Sequence, residues 1–557
     1  MPTPALFLIL ATLLPLATFA LLLAMGRRMG DPLAGWIATA AAAVGFALSM
    51  SATNAWFNGG QIAGTSWGAG DKPIELSFRW LPAAIAGDPR GLDNLNIHVD
   101  SLTIAMFNTL TPIAAMVCAF GVRFLRHDQR FVQFFTYLQL LLFSMLALVL
   151  SGNLLEIFLS WELLALSAWL LGRTGPSAGN GTSVSLALSA VSDVQLLVGL
   201  GMLFRFLGNA TFSQLDRAAA GSIIPPHALN VMGLAICIAA ALKVVPLFQR
   251  APIPAAAMFQ SITLCAAGVY LLGRIFPLLT AGVSLFIAVI GLLALVVGAT
   301  LALGGRDVIG LLAHSTVSQF GLIFLAIGIG SWVGGLFHLM THAFFKSLLV
   351  LVAGGVVHAA GGERRLGQFG GLLGKLPVSA AFFAVGILAM VGAPFTGGYF
   401  SSRSILVHAG ALATARGGFY WLLFTIPAAM SALTGLYLTR CWMLIYCGKP
   451  RNQPLHQRAR ERITFWIPLG ALAILSVAAG SRLMEIDRFI AHWGEEAENY
   501  CNLVRDPAAA PFAAFTSPWA GLSVDAGERL FHQYASWPMA VGIVVGVGVY
   551  SLRRKGL

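Results

Sequence analysis

Residues 332–358 read WVGGLFHLMTHAFFKSLLVLVAGGVVH, and this stretch decides the fold. Its 27 residues hold no acidic side chain and one lysine. A helix of that length and polarity is long enough to cross the hydrocarbon of a bilayer. Yet His338, His342 and Lys346 sit inside it at i, i+4 and i+8, the spacing that keeps three side chains on one slowly drifting helix face. A membrane helix with titratable groups along one stripe is the unit from which the rest is read.

Working outward, the 557 residues are 58% apolar and 10% charged, with a mean hydropathy of +0.81. Soluble domains carry about a quarter charged residues, so a water-soluble enzyme, a disordered chain and a disulfide-stapled secreted domain are excluded. Apolar stretches of spanning length recur at about 4–25, 33–53, 101–122, 131–151, 153–172, 183–207, 229–248, 254–276, 281–303, 307–329, 332–358, 377–399, 418–447, 463–480 and 535–552. The expected fold is an all-α polytopic membrane protein of about 14–15 transmembrane helices, and the first stretch is expected to span rather than to be removed as a signal peptide. The chain divides into N-terminal helices and an extramembrane loop (1–100), a core (101–447) and C-terminal helices with an acidic loop at 481–534. Within 57–100, the alternation Ile74-Glu75-Leu76-Ser77-Phe78 predicts a small hairpin.

The net charge of +12 is dispersed between the apolar stretches rather than gathered into a nucleic-acid patch. Arg27-Arg28, Arg123/Arg126/Arg130, Arg364-Arg365, Lys449–Arg462 and Arg553-Arg554-Lys555 fall in one alternate set of loops. That excess predicts a cytoplasmic face there, with the N-terminus outside and the C-terminus in the cytoplasm of a bacterial inner (plasma) membrane. Six dispersed cysteines form no CxxC or Cys/His cluster, so no metal is expected on this chain. It carries no phosphate-binding GK[ST] loop and no dinucleotide fingerprint.

An ionisable group in a spanning helix is costly and is a functional candidate by default. The series here is Glu156 and Glu162 in the fifth stretch, Asp193 in the sixth, Lys243 in the seventh, His314 in the tenth, and His338, His342 and Lys346 in the eleventh. Acid, lysine and histidine sites with water between them can hand protons on. Other readings stay open beside relay: Asp193 can bond a neighbouring helix, Glu156 suits a helix N-terminus, and two histidines four apart can bind a metal, although no carboxylate or cysteine nearby completes a set. Breaks are expected after Lys243, at Pro246, and at Gly392-Ala393-Pro394 with Gly397-Gly398, because interrupted backbone at membrane depth lines cavities.

The stretches Phe134–Tyr137, Asn153–Leu155 and Ser160-Trp161-Glu162-Leu163, and above all Leu312–Gln319 with Phe337–Lys346, resemble the antiporter-like family of complex I large distal membrane subunits, Mrp sodium/proton antiporter subunits and related hydrogenase subunits. Val99–Leu102 and Ala267–Leu271 are similar more weakly. The resemblance implies two inverted five-helix repeats with broken helices and a proton path through the membrane. By matching position it gives Glu162 as the acid of a glutamate–lysine pair, Asp193 as the sixth-helix acid, Lys243 as the seventh-helix lysine and Lys346 as the central lysine beside His338 and His342. Departures from the pattern add secondary candidates: Gln260 stands where the family has histidine, and Ser402, with Arg403 beside it, where it has lysine. The loop Val244–Pro254 is short, and the chain ends where a lateral helix would begin. These departures point to the membrane subunit of an inorganic carbon pump (the DabB type), not an enzyme by itself. Its partner would be a peripheral zinc protein resembling β-carbonic anhydrase (the DabA type), which would hold the zinc. A proton-pumping subunit of a complex I-like or hydrogenase complex, or an Mrp-type sodium/proton antiporter subunit, is the alternative.

Overall fold

The computed structural model describes residues 2–62, 73–79, 94–175, 181–212, 214–215, 224–244, 251–479 and 522–552. The first helical run, Thr3–Ile62, is two helices, because Gly30 (φ 64°) and Asp31 (ψ 129°) leave helical geometry ahead of Pro32. These are α1 and α2. The hairpin follows: β1 (Ile74–Arg79) pairs antiparallel with β2 (Asn94–Val99), in register from Ile74 opposite Val99 to Arg79 opposite Asn94. Then come α3 (Ser101–Phe124), α4 (Phe131–Leu150), α5 (Leu154–Gly172), α6 (Gly181–Leu207) and α7 (Pro226–Val244). The central helices are α8 (Ile253–Ser261), α9 (Leu264–Arg274), α10 (Ala281–Gly304), α11 (Val308–Gly328) and α12 (Trp332–Ala359). The chain finishes with α13 (Pro377–Val391), α14 (Gly397–Arg416), α15 (Tyr420–Tyr446), α16 (Gln453–Arg458), α17 (Trp466–Ala478), α18 (Val524–Leu530) and α19 (Pro538–Leu552).

The protein is a multi-pass membrane protein. Among the described residues twelve helical runs are long and apolar enough to cross a bilayer, the first of them holding α1 and α2 together, and α13 and α17 are shorter apolar helices. Burial sorts them. Every residue of the apolar window in 253–274 is buried and 89% of that in α12, against 33% in the first run and 22% in the last. So α12 is the axis, touching α3, α8, α9, α11, α13, α14 and α17. The outer helices show Leu23, Val194, Leu293 and Val544 to their surroundings, as helices that are apolar all round do when lipid is the solvent. Helices α10 and α11 approach closely along their length: a Cβ on Gly298 would lie 2.4 Å from the Ser318 amide, and one on Gly321 2.3 Å from that of Leu295. That contact fixes the helix carrying His314, Ser315 and Gln319.

Loop ends are sewn together by polar bonds. At one end the Leu366 amide donates to Arg306, Arg451 donates to the Leu366 and Phe369 carbonyls, and Arg130 donates to the Arg173 and Gly175 carbonyls. The His127 amide donates to Asp31, and Phe124 packs on His358. The described basic loops therefore meet on one face, as the sequence alternation requires.

Three expectations change. The stretch read as one span at 377–399 carries the break expected at Gly392-Ala393-Pro394, α13 ending at Val391 and the chain turning through left-handed Gly392, but α14 then runs from Gly397 to Arg416, well past the end that hydropathy gives. Its Gly397, Gly398, Ser401, Ser402, Arg403 and His408 lower its hydropathy, but Ser401 is fully buried inside the bundle. The stretch at 254–276 is not continuous either: Ile262 (φ −142°) and Thr263 (ψ −99°) break it into α8 and α9. Finally, the expected acidic loop at 481–534 is helical from Val524, so Asp525 and Glu528 belong to α18, whereas Glu495, Glu496, Glu498 and Asp506 lie outside the described residues. Pro246 lies outside them too.

Candidate functional site

Two polar clusters lie inside the bundle. The first joins α5, α6 and α7. Lys243 Nζ donates to Asp193 Oδ1 at 2.8 Å and to Ser189 Oγ at 2.8 Å, while the Trp161 indole N–H donates to the same Asp193 oxygen at 2.9 Å. The ammonium also sits 5.1 Å from the Trp161 ring centroid, a cation–π contact. Lys243 is 4% exposed and Asp193 17%, so this is a buried ion pair. The residue order matters: the carboxylate paired with Lys243 is Asp193, whereas Glu162, the position that resembles the family's paired acid, faces both charges electrostatically and, among the described residues, leaves its buried Oε1 without a hydrogen bond.

The second cluster runs along α12. His338, His342 and Lys346 are each fully buried. Lys346 Nζ donates to Ser315 Oγ at 2.7 Å and to the Leu312 carbonyl, both on α11, and among the described residues no carboxylate pairs with it. His338 bridges α11 and α14: Nε2 is 3.0 Å from Gln319 Oε1, and Nδ1 is 2.9 Å from Ser401 Oγ. Gln319 Oε1 can only accept, so Nε2 carries the hydrogen and Nδ1 accepts from Ser401. Thr341 continues the chain to Ser401 at 2.8 Å. His342 lies between them, edge-on to Phe320 and Phe345, with neither ring nitrogen hydrogen-bonded among the described residues. It faces Lys346 and His338 electrostatically and the Ser261 backbone at the α8–α9 break. His314 is half-buried on α11, its Nδ1 without a partner among the described residues, with Lys346 the charge it faces.

The two clusters approach each other at the α8–α9 break. Cys265, just past it, donates to the Lys243 carbonyl at 3.4 Å and is within electrostatic reach of Lys346. Gln260, on the other side of the break, is buried with its Oε1 unbonded among the described residues. At the far end of the α12 cluster, a cavity of about 40 Å³ is lined by Gln319, Gly392, Tyr399, Ser402, Ser431 and Thr434. It is large enough for a water or two, and Gly392, where α13 ends, is part of its wall.

Two candidates stand apart. Glu156 is a fastener. Its carboxylate takes the Asn96 amide of β2, the Gly152 amide at 3.0 Å and Asn153 Nδ2 at 2.8 Å, while its own amide bonds the Asn153 cap. Arg403 pairs with Glu528 of α18 at 2.6 Å, with the two side chains 38% and 28% exposed. Sequence reasoning missed Ser401 and the α8–α9 break. Neither has a hydropathy signature, though a serine seven residues past a Gly-Ala-Pro break was a usable hint.

Residues 151–431 match the family model described as NADH:quinone oxidoreductase/Mrp antiporter, transmembrane. The chain is similar to NADH-quinone oxidoreductase subunit L of Pseudomonas aeruginosa, 31% identical over 430 residues that cover 74% of this chain and 68% of that protein. The same subunit of Escherichia coli is 31% identical over 404 residues, covering 70% and 64%. Chloroplastic NAD(P)H-quinone oxidoreductase subunit 5 of Piper cenocladum is 33% identical over 383 residues, covering 63% and 50%. The chain thus spans between half and about two thirds of the length of these relatives. In fold it is similar to the Mrp complex of Dietzia sp. DQ12-45-1b (TM-score 0.76, 23% identity, covering 99% of this chain and 56% of that one). It is likewise similar to an archaeal membrane-bound sulfane sulfur reductase (TM-score 0.73, 18% identity, covering 89% and 99%).

Proposed function

The chain belongs to the NADH:quinone oxidoreductase/Mrp antiporter transmembrane family, and from that premise we propose that it is the proton-translocating membrane subunit of a multi-subunit complex of the respiratory or Mrp kind. One observation carries the reading. Lys346 is fully buried at the centre of the bundle and bonded only to neutral oxygens among the described residues. A charge kept there for packing alone would need a counter-charge, since an unpaired buried ammonium costs several kcal/mol. A group that takes up and releases a proton does not.

The remaining residues take their roles from geometry. Asp193 and Lys243 form the charge-paired site; a proton reaching Asp193 cancels the counter-charge and frees the ammonium proton to move on towards Lys346. His342, with neither nitrogen hydrogen-bonded among the described residues, is placed to pass a proton along α12. His338, Ser401 and Thr341 form a hydrogen-bonded chain leading by Gln319 to the cavity at Gly392. Glu162 and His314 flank the path. The basic face is the cytoplasmic one on this reading, with the hairpin outside.

The similarity to NADH-quinone oxidoreductase and Mrp subunits supports this over the inorganic carbon pump. The neutral Gln260 and Ser402 keep that second reading in play, with a zinc protein as its partner. Purification in mild detergent followed by reconstitution tests both. Flavin or iron–sulfur subunits, or Mrp-type subunits, co-purifying with proton flux support the first reading. A zinc protein and bicarbonate accumulation support the second, and liposomes without proton flux refute both.

A further inference from the structure

At the end of the bundle opposite the basic loops, His98 of β2 is 1% exposed and lies between two carboxylates. Nδ1 is 3.4 Å from Glu75 Oε1 on β1, and Nε2 is 3.4 Å from Asp100 Oδ2 at the start of α3. Asp100 is itself fixed: it accepts from the Thr103 amide at 2.8 Å, capping α3, and from Arg274 Nη2 at 2.8 Å at the end of α9. Arg274 also donates to Tyr270 and lies over the Phe212 ring, whose edge meets His98. The charged groups that face the imidazole are therefore Glu75, Asp100 and Arg274, one from each element packed on it.

Beside the histidine is a cavity of about 420 Å³, lined by Glu75, Ser77, Asn94, Asn96, His98 and Gln214. The same strand holds the Glu156 fastener through the Asn96 amide. Asn209 and Thr211 add polar groups to its lining and Leu76 and Ile97 apolar ones, and the hairpin forms part of its wall.

Burial pulls the imidazole towards neutrality, yet the two carboxylates outweigh both burial and Arg274, so His98 titrates above its ordinary value. Asp100, pushed up by burial, is pulled well below the carboxylate range by Arg274 and stays ionised. A raised histidine stabilises the folded arrangement fully below its ordinary value near 6.5, and loses that contribution as pH rises through the raised value.

We propose that Glu75, His98 and Asp100 form a proton-operated latch: charged, His98 clamps β1 to the start of α3 and closes the hairpin on the polar cavity; neutral, it lets β1 lift and admits water and small ions. Asp100 keeps Arg274 and Thr103 in either state, so the moving part is the β1 side, where Glu75 is 39% exposed. The latch stands independently of whether the chain conducts protons.

Hydrogen exchange on the full chain in lipid nanodiscs tests it, read on peptides covering 74–79 and 94–99 and corrected for intrinsic exchange. At about pH 5.5 the hairpin is protected; at about pH 8.5 the protection falls, by roughly tenfold for each unit by which the latch raises His98. His98→Gln removes the dependence and leaves the hairpin fast at both. Peptides of α12 report whether the variant folds; where they too exchange faster, Glu75→Gln, at a half-exposed position, takes its place and must flatten the same profile. Equal protection at both pH values in the unaltered chain overturns the proposal. So does a pH profile that survives whichever substitution leaves α12 intact.

Discussion

Neutralising the Asp193–Lys243 pair one side at a time, and then both sides together, separates an ion pair from two independent polar groups. The structure sets the asymmetry. Asp193→Asn leaves the Lys243 ammonium, 4% exposed, with Ser189, the Trp161 ring and the more distant charge of Glu162. Lys243→Met leaves the Asp193 carboxylate, 17% exposed, with the Trp161 N–H still donating at 2.9 Å and the Ser189 hydroxyl at 3.4 Å. Removing one partner of a buried pair costs about 3–5 kcal/mol. The aspartate substitution therefore belongs near the top of that range and the lysine substitution near or below its foot. The double variant, with neither charge of the pair left to bury, returns to within about 1 kcal/mol of the unaltered protein, because neutral replacements of a buried pair are often harmless. Unfolding in mixed micelles gives the free energies, and proton flux in liposomes gives function. Stability recovers in the double variant while flux stays abolished. A double variant whose destabilisation equals the sum of the singles refutes the pair, and one that is stable and conducts normally refutes its role in translocation.

Other consequences are smaller. Gly321→Ala puts a methyl 2.3 Å from the Leu295 amide, so α10 and α11 must part, and thermal stability drops by about 1–3 kcal/mol. Glu156→Ala strands the Asn96 and Gly152 amides and Asn153 Nδ2; it speeds exchange of 94–99 and costs about 1–3 kcal/mol, with proton flux intact. Asp100→Asn leaves Arg274, 6% exposed, without its counter-charge and costs about 3–5 kcal/mol. Because the Asp100 carboxyl sits well below its ordinary range, that difference is full at neutral pH and closes only as strong acid protonates it, which denaturation at a series of pH values reads directly.

The bundle was legible because lipid imposes one rule, that every backbone polar group be satisfied inside a segment. Long apolar runs therefore announced themselves. The i, i+4, i+8 stripe at 338–346 placed three buried groups correctly on one face. Most of helix α14 was invisible for the converse reason: it sees protein rather than lipid, so Gly398 can lie against the Ala389 carbonyl and Ser401 can serve His338. The choice of Asp193 over Glu162 as the partner of Lys243 depends on how α6 and α7 rotate against each other. No spacing within one segment encodes that. The cap at Asn153 made Glu156 a fastener, a role the sequence left open beside relay.

The central claim is that protons cross by way of a lysine held at the middle of the bundle. Its direct test is proton uptake into liposomes holding the purified complex, driven by an imposed membrane potential, with Lys346→Met against the unaltered protein. Equal incorporation and unchanged subunit composition with flux reduced to the leak of empty vesicles is the result the structure predicts. Flux that continues at the unaltered rate with Met at position 346 contradicts it.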